Sequence, residues 1–318
     1  MRVKLIDVDY KYREKKRRGI PFPNLALMKI SAQYKALGYE VGFNVENPNL
    51  TVISCVFRRN RLIAIWECLN TNENTRWFGG SGLDLEEKLP GPFERTKPDY
   101  DLYPHWLTDP RGQSSIGFTT RGCIRDCEFC IVREKEGKFC RHQHVSEFHD
   151  ARFKKITLLD NNILADREWF FENTNWCLDQ KLKINISQGM DIRLLTDEIA
   201  EQLHRIKFVD QQMRFAWDRL DMENRVKTGI EMLRDHGINV RRNVSFYVLS
   251  GFNTHFCEDL YRCNKLHEWG ARAYVMPWEE GTTPLIRALA RWANRPTLRD
   301  TPFWKYERMP AGPMEATV

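Results

Sequence analysis

Three closely spaced cysteines constrain this chain more than any other feature of its sequence. Cys123, Cys127 and Cys130 follow the spacing C-x3-C-x2-C within the segment RGCIRDCEFC. A short apolar strand at 116–119 leads into the segment, and a charged loop that contains glycine leaves it. Three thiolates on one tight loop can bind three irons of a [4Fe-4S] cluster and leave the fourth iron without a protein ligand. An open iron allows a cluster to react with a small molecule as well as to carry electrons.

Zinc binding and disulfide bonds are the other usual roles of clustered cysteines. Zinc takes four ligands as a rule, often as two Cys-x2-Cys pairs, and here His142 or His144 could supply the fourth. A disulfide framework is disfavoured because the nine cysteines are an odd number in a long chain of 318 residues. The spacing therefore favours an iron–sulfur cluster, and zinc stays the alternative.

The cysteine segment resembles the cluster-binding loop of the radical S-adenosylmethionine (SAM) superfamily. Phe129 matches the aromatic residue that this family usually has before the last cysteine, next to the adenine of SAM. The resemblance implies that the open iron binds the amino and carboxylate groups of SAM. It further implies reductive cleavage of SAM to methionine and a 5'-deoxyadenosyl radical, which abstracts hydrogen from a substrate. An electron donor of the flavodoxin or ferredoxin type is the partner that such chemistry requires.

The composition is that of an ordinary globular protein, with 42% apolar and 29% charged residues. No apolar run has the length of a membrane span, and RVKLID after Met1 indicates a first strand rather than a targeting segment. Cysteines without a secretory signal predict a reducing, cytoplasmic location. The net charge of +6 permits a polyanionic partner such as nucleic acid without requiring one.

The first hundred residues predict a doubly wound parallel sheet, because strands alternate with helices. Asn24 is the predicted cap of the first long helix, and Gly38 its predicted end. A basic loop at 11–19 is either a solvated segment or a phosphate contact. The predicted strands are 3–8, 39–43 and 50–57, and the predicted helices are 25–37 and 58–68. The stretch 76–78 leads into the glycine turn at 79–82.

This region, 1–100, resembles the cobalamin-binding-like Rossmann domain that precedes many radical SAM barrels. The likeness lies in the opening strand, the P-x-N-L-A-L entry to the first helix and the Gly-Gly-Ser-Gly turn at 79–82. It makes cobalamin a candidate cofactor. The Asp-x-His-x-x-Gly element that some cobalamin proteins use is absent, since no histidine precedes His105. The glycines at 79–82 are also compatible with a simple tight turn.

A proline-bracketed linker at 98–104 predicts a domain boundary near residue 100, followed by six β/α units at 101–283. Six units are too few for an eight-stranded barrel, and the resemblance implies the partial (β/α)6 barrel of the radical SAM family. The predicted strands are 115–119, 155–160, 183–189, 213–218, 244–251 and 271–276. The predicted helices are 166–180, 196–206, 222–236 and 254–269.

Active sites in such barrels lie at the carboxyl ends of the strands, so the residues there are the candidate contacts. The resemblance assigns Asp160 or Asn161 to the SAM ammonium, although these residues also suit an ordinary loop. Gln188 and Asp191 are candidates for the ribose hydroxyls, and Arg193 has the donor geometry for a carboxylate.

Three later residues extend this set. Asp218 either faces SAM or substrate or caps the next helix. Gly251 alone remains of the Gly-x-Ile-x-Gly pattern of the family, and Val275 is expected to offer backbone groups to adenine. Among the remaining cysteines, Cys140 is a candidate thiol or radical participant, and the spacing of Cys257 and Cys263 does not favour a second cluster.

The C-terminal stretch at 284–318 is predicted to be a helical extension rich in basic and aromatic residues. This combination suits nucleic acid, and it equally suits a solvated helix face over an apolar core. The residues concerned are Arg287, Arg291, Arg295, Arg299, Lys305 and Arg308, with Trp292, Phe303, Trp304 and Tyr306.

The sequence thus predicts a radical SAM enzyme with a Rossmann-like domain and a partial TIM-type barrel. Methyl transfer with cobalamin is its most concrete form, and a nucleic-acid base, a peptide or a small metabolite is its candidate substrate. The alternative hypothesis is a non-enzymatic zinc or Fe-S protein that binds nucleic acid.

Overall fold

The computed structural model describes residues 1–12, 20–295 and 301–306. The chain divides into two units, one comprising Met1–Leu159 with Asp179–Leu182 and the other Asp160–Leu178 with Lys183–Val318. Both units combine helices with parallel strands, which confirms the α/β class. The Rossmann-like and partial-barrel assignments stay predictions.

Twelve strands are formed within the described residues. They are β1 (Arg2–Asp7), β2 (Glu40–Gly42), β3 (Leu50–Ser54), β4 (Arg76–Gly79), β5 (Ser115–Gly117), β6 (Thr120–Arg121), β7 (Cys140–Arg141), β8 (Lys155–Leu158), β9 (Lys183–Ile186), β10 (Met213–Ala216), β11 (Val244–Ser250) and β12 (Arg272–Pro277).

The α-helices of the described residues number thirteen, and several of them are single turns. They are α1 (Val8–Lys11), α2 (Leu25–Ala36), α3 (Arg61–Leu69), α4 (Gly91–Glu94), α5 (Pro104–Thr108), α6 (Val132–Glu136), α7 (Val145–Phe148), α8 (Arg167–Asp179), α9 (Asp197–Arg205), α10 (Glu223–Asp235), α11 (Val240–Asn243), α12 (Phe256–Glu268) and α13 (Pro284–Ala293).

The first unit begins with a four-stranded parallel sheet in the order β2-β1-β3-β4. Helix α2 begins where predicted, because the Asn24 side chain accepts a hydrogen bond from the Leu27 N–H at 3.2 Å. It ends at Ala36, and Gly38 follows with φ +78°, a left-handed conformation that glycine adopts without steric cost. The strands and helices predicted for this region are all present.

The stretch that was predicted as a linker is part of the core of the first unit. Tyr100 and Tyr103 are each 1% exposed and pack in one apolar cluster with Val3, Leu27 and Ile116. Three large apolar side chains within 100–103 favour burial over exposure to water. The predicted boundary near residue 100 therefore lies inside the first unit, and no separation of the chain occurs there.

Two aspartates at the end of β1 have structural partners. Asp7 accepts hydrogen bonds from the Tyr103 hydroxyl at 2.6 Å and from the Tyr10 N–H, and Asp9 accepts one from the Val56 N–H and one from Asn60. Burial raises the pKa of Asp7 to about 6 despite these bonds, which act in the opposite direction.

Stability should therefore fall as the pH rises through the titration of Asp7. A carboxyl whose pKa is raised on folding stabilises the protein most below its unfolded pKa, about 3.9, and loses that contribution as the pH passes about 6. The Asp7→Asn variant has no ionisable group at this position. Its free energy of unfolding, taken relative to that of the wild type, should therefore increase by roughly 2–3 kcal/mol between about pH 4 and pH 7. Urea denaturation at several pH values measures this, and a difference that is constant with pH would contradict it.

The second unit contains a parallel sheet in the order β10-β11-β12. Residues alternate along β11 between buried and half-buried, because one face of the sheet packs on apolar side chains of the unit. Isolated parallel bridges join Ile184 to Phe208 and Met190 to Phe215. In the two units together, all six strands and four helices predicted after residue 100 are formed, with ends that differ by a few residues.

The C-terminal extension combines exposed charge with buried aromatic residues. Arg287, Arg291 and Arg295 are exposed, whereas Trp292 and Phe303 are buried. Tyr306 is also buried, Trp304 is 62% exposed, and Lys305 is exposed. These burials match a solvated helix face over an apolar core, so the pattern does not by itself indicate nucleic acid.

Two predictions fall on parts of the chain that are outside the described residues. They concern Arg299 and Arg308 of the extension, and most of the basic loop at 11–19. Across 1–12, 20–295 and 301–306, no helix combines the length and the apolar content needed to cross a membrane.

Candidate functional site

The cysteine loop of the first unit is closed at its base by two short antiparallel strands. Strand β6 pairs with β7, so that Arg121 lies opposite Cys140, and a further bridge joins Cys123 to Lys138. This pairing fixes the two ends of an otherwise irregular segment, and it places all three predicted ligands on one closed loop.

Backbone hydrogen bonds shape the loop around the cysteines. The Cys130 N–H donates to the Cys127 carbonyl at 2.9 Å, which forms a turn between the second and third cysteines. The Arg125 N–H donates to the Cys123 sulfur at 3.3 Å, and the Arg133 guanidinium donates to the Cys123 carbonyl. An amide donor at a cysteine sulfur favours the thiolate, the form that binds a metal.

The donor set fits an iron–sulfur cluster by its chemistry. Cys123, Cys127 and Cys130 offer three soft sulfur ligands, and each side chain is half-buried. Within the described part of the chain, no group of three or more His, Cys, Asp or Glu side chains is already arranged to hold a metal ion. The binding of a cluster by these three residues stays a prediction.

The two histidines considered as a fourth zinc ligand have different surroundings. His144 caps α7, where its Nδ1 accepts from the Ser146 N–H. His142 Nε2 is buried and has no hydrogen-bond partner among the described residues. Burial and the neighbouring cations lower the pKa of His142 to about 4, so the ring is neutral near pH 7.

Gly122, which directly precedes the first cysteine, has no room for a side chain. Its φ is +68°, and a Cβ there would lie 2.3 Å from the Lys138 carbonyl oxygen. Gly38 has a similar φ of +78°, but a Cβ on it would meet no atom within 4 Å. The pair therefore separates the cost of the backbone conformation from the cost of the collision.

Gly122→Ala should destabilise the protein more than Gly38→Ala. Both substitutions carry the left-handed penalty of about 1–2 kcal/mol, and the collision with backbone adds about 1–3 kcal/mol for Gly122→Ala alone. Urea denaturation of the two variants measures the difference. Equal losses of stability would show that the loop backbone adjusts freely at Gly122.

Asp191 and Arg193 lie in the second unit and bind each other. The Arg193 Nε and Nη2 atoms donate to the two oxygens of Asp191 at 2.6 and 3.0 Å, and the Arg193 N–H also donates to Asp191. The Asp191 side chain is 7% exposed and that of Arg193 is 33% exposed. Asp191 thus orients the arginine that was predicted to bind the SAM carboxylate.

A buried arginine joins the carboxyl ends of β10 and β11 to helix α12. Arg262 is 0% exposed and donates to the Trp217 carbonyl at 2.7 Å and to the Leu249 carbonyl at 2.6 Å. It also pairs with Asp259 at 2.6 Å. We call Arg262 and Asp259 the buried ion pair.

Asp218 lies at the same end of the sheet. It accepts a hydrogen bond from the Leu249 N–H at 3.3 Å and does not cap the next helix, since the cap of α10 is Met222. Burial raises the pKa of Asp218, and the charges of Arg262 and Arg193 oppose that rise. The structure therefore brings Asp218 and Arg193 within electrostatic reach of each other.

Gly251 is required by a close approach of two backbones. It has φ +84°, and a Cβ on it would lie 2.8 Å from the Gly281 carbonyl oxygen. Its N–H donates to Asp259 at 3.0 Å. A structural role therefore accounts for the one glycine left of the family pattern, and its predicted contact with SAM stays a prediction.

The backbone of Val275 is engaged by a side chain. Its N–H donates to the Asn294 Oδ1 atom at 2.7 Å, and its carbonyl accepts from Asn294 Nδ2 at 3.0 Å. Asn294 thus satisfies the two groups that were expected to recognise adenine. A contact of Val275 with adenine would require displacement of this amide.

Gln188 lines a cavity of about 610 Å³ in the second unit. The cavity includes Arg214, and Tyr247, whose hydroxyl donates to the Ser187 carbonyl at 3.2 Å. Tyr274, 48% exposed, also lines it. This size is suitable for a small ligand, and the lining offers aromatic rings, an amide and a guanidinium.

The other predicted site residues belong in part to the first unit and in part to the second. Phe129 is half-buried in the cysteine loop, and Cys140 is exposed on β7 of the first unit. In the second unit, Asp160 is 1% exposed and Asn161 is half-buried.

Sequence reasoning missed the buried ion pair and Asn294. Asp259 and Arg262 occupy helical positions i and i+3, on the face of α12 that also carries Cys263 and Leu266. Opposite charges on the apolar face of a helix are a signal that could have identified the pair. Asn294 follows the end of α13, and nothing in its local sequence indicates its partner.

Comparison with models of known protein families and with curated proteins finds no match to this chain.

Proposed function

We propose that this protein is a radical SAM enzyme, which uses a [4Fe-4S] cluster to cleave SAM reductively. The observation that carries the proposal is the C-x3-C-x2-C loop, which β6 and β7 close at its base. Three sulfur ligands, rather than four, are the donor set that leaves an iron open to a small molecule. The Arg125 N–H bonds the Cys123 sulfur and so helps to fix its position in the loop.

Cys123, Cys127 and Cys130 would hold the cluster, which supplies the electron for cleavage of SAM when it is bound. Residues of the second unit are candidates for SAM contacts. Arg193 is the candidate donor to the carboxylate of SAM, and Asp191 holds its planar guanidinium in a fixed orientation. Gln188 offers its amide to a ligand of the 610 Å³ cavity.

Anaerobic reconstitution with iron and sulfide tests the proposal. The protein should bind about four irons, become brown, and form 5'-deoxyadenosine from SAM when dithionite is present. The electron paramagnetic resonance spectrum of the reduced protein should change when SAM is added, because SAM would bind the iron that has no protein ligand. A colourless protein that binds one zinc and does not cleave SAM would contradict the proposal and favour the non-enzymatic alternative.

Methyl transfer with cobalamin is the finer form of the proposal. It rests on the four-stranded parallel sheet that precedes the cysteine loop, since ligands of such sheets bind at the carboxyl ends of the strands. The turn at 79–82 does not add support, because a Cβ on Gly80 would collide with the Cys55 carbonyl at 2.4 Å, which explains this glycine by packing. Visible spectra of the protein incubated with cobalamin decide the question. The absence of binding would remove cobalamin and leave SAM cleavage unaffected.

A further inference from the structure

The first unit contains a second cavity, of about 430 Å³, at the carboxyl ends of β3 and β4 and beside the N-terminus of α2. Most of its wall is apolar and includes Val52, Trp77, Phe118 and Leu159. Its polar part is formed by side chains from α2, from α4 and from the chain around β6 and β7. No residue assigned to the proposed chemistry lines it.

The polar part of this cavity has a carboxylate surrounded by basic groups that do not reach it. The Glu94 Oε1 atom lies 3.8 Å from Lys29 Nζ, 3.7 Å from Arg121 Nη2 and 3.6 Å from His142 Nε2. All three distances exceed the usual hydrogen-bond limit of about 3.2 Å. Glu94 Oε1 therefore lies among three basic groups without a hydrogen bond to any of the three.

His142 has an unmet hydrogen bond in this cavity. Its side chain lines the cavity and is 9% exposed, and no described group bonds to its buried Nε2. A buried polar atom without a partner costs free energy. An oxygen of a ligand would remove that cost.

The buried charges favour an anionic ligand. Lys29 is 3% exposed and donates only to the Glu94 backbone carbonyl among the described hydrogen bonds, and burial lowers its pKa to about 8. Lys29, Arg121 and Lys135 are opposed by Glu94 and Glu136, while Asp84, Glu87 and Lys88 are exposed at the mouth. Over the whole lining, four cations (Lys29, Lys88, Arg121 and Lys135) balance four carboxylates (Asp84, Glu87, Glu94 and Glu136). The less exposed of these groups have one positive charge in excess, which suits a monoanion.

We propose that this cavity binds a small carboxylate with an apolar body. The ligand oxygens accept hydrogen bonds from Lys29, Arg121 and His142, and the apolar body packs against the wall around Trp77 and Phe118. Neither SAM nor a cluster takes part, so the proposal is independent of the SAM cleavage proposed above.

Calorimetric titration of the full chain with 4-phenylbutyrate and with its neutral analogue 4-phenylbutanamide tests the proposal. The acid should bind at least about tenfold more tightly than the amide, because charge-assisted hydrogen bonds are formed only by the acid. Nitrogen NMR of the histidine rings should show a shift of the His142 Nε2 signal on addition of the acid. Phenyl phosphate should bind more weakly, since its second charge is not compensated.

Lys29→Met and Lys35→Met form a matched pair on helix α2. Lys35 is 42% exposed, pairs with Asp99 and does not line the cavity. Lys29→Met should weaken the acid by about tenfold or more and leave the amide unchanged, and Lys35→Met should change neither. If Lys29→Met does not fold, the wild-type NMR signal of His142 gives the answer.

Three results would overturn the proposal. They are equal binding of acid and amide, binding of the acid without a shift of the His142 signal, and equal effects of the two lysine variants. Tighter binding of phenyl phosphate than of phenylbutyrate would reject a carboxylate as the ligand.

Discussion

Cys127→Ala is expected to abolish cluster binding and the formation of 5'-deoxyadenosine. Cys127 is the central one of the three sulfur ligands, and its carbonyl also accepts the turn hydrogen bond from Cys130, which alanine retains. The variant should therefore keep the shape of the loop and lose only a ligand. Loss of a supporting contact alone costs about 10- to 100-fold in metal affinity or activity, so loss of a ligand should cost more than about 100-fold.

Iron analysis, the visible spectrum and chromatography of SAM products measure this result. Cys257→Ala is the matched control, because Cys257 is an exposed free thiol on α12 of the second unit and is not one of the three proposed ligands. It should retain wild-type iron and activity. A Cys127→Ala protein with a full complement of iron and unchanged SAM cleavage would refute the proposed function.

Arg262→Met is expected to cause the largest loss of stability of any single substitution considered for this protein. The side chain removed is fully buried, and the substitution takes away the guanidinium that bonds the carbonyls of Trp217 and Leu249 and is the counter-ion of Asp259. Asp259 keeps only the neutral donors of Gly251 and Thr254. Breaking a buried ion pair by removing one partner costs about 3–5 kcal/mol. The second unit should become the less stable part of the chain.

The same helix provides the control for this prediction. Lys265 and Glu268 also form an ion pair at i and i+3, but their side chains are 29% and 61% exposed. Lys265→Met should cost far less than Arg262→Met, since solvent screens exposed pairs. The double substitution Asp259→Leu with Arg262→Met should recover part of the loss, because it leaves no unpaired charge. Urea denaturation and hydrogen exchange would detect these changes, and equal costs for both pairs would contradict the argument.

Much of the secondary structure follows from local patterns. The helix α2 has an Asn cap and a glycine stop, and the structure contains both. The strands of the second unit are apolar runs, and β10, β11 and β12 lie where those runs predict them. The linker predicted at 98–104 rests on the prolines at its two ends. The structure instead buries Tyr100 and Tyr103 of this stretch in the core, because large apolar side chains favour burial.

The candidate site shows the same division. The clustering of the three cysteines can be identified from spacing alone, since three thiols within eight residues are neighbours in any fold. The hydrogen-bond partners of Arg193 and Val275 cannot be identified from the sequence. Several polar groups can compete for one donor or acceptor, and only the folded chain decides which of them is within reach. Asn294 reaches Val275 from nineteen positions away in the sequence.

By itself the sequence determined the α/β class, the order of the strands and helices, and the loop on which three thiols are concentrated. These properties depend on short-range causes, namely the period of apolar residues, the capping residues and the spacing of thiols. Only the tertiary structure decided that Arg262 is buried with Asp259, that Tyr100 and Tyr103 belong to a core, and that Lys29 and His142 line one cavity. Burial and electrostatic partners depend on which distant segments are brought together, and local sequence does not specify that.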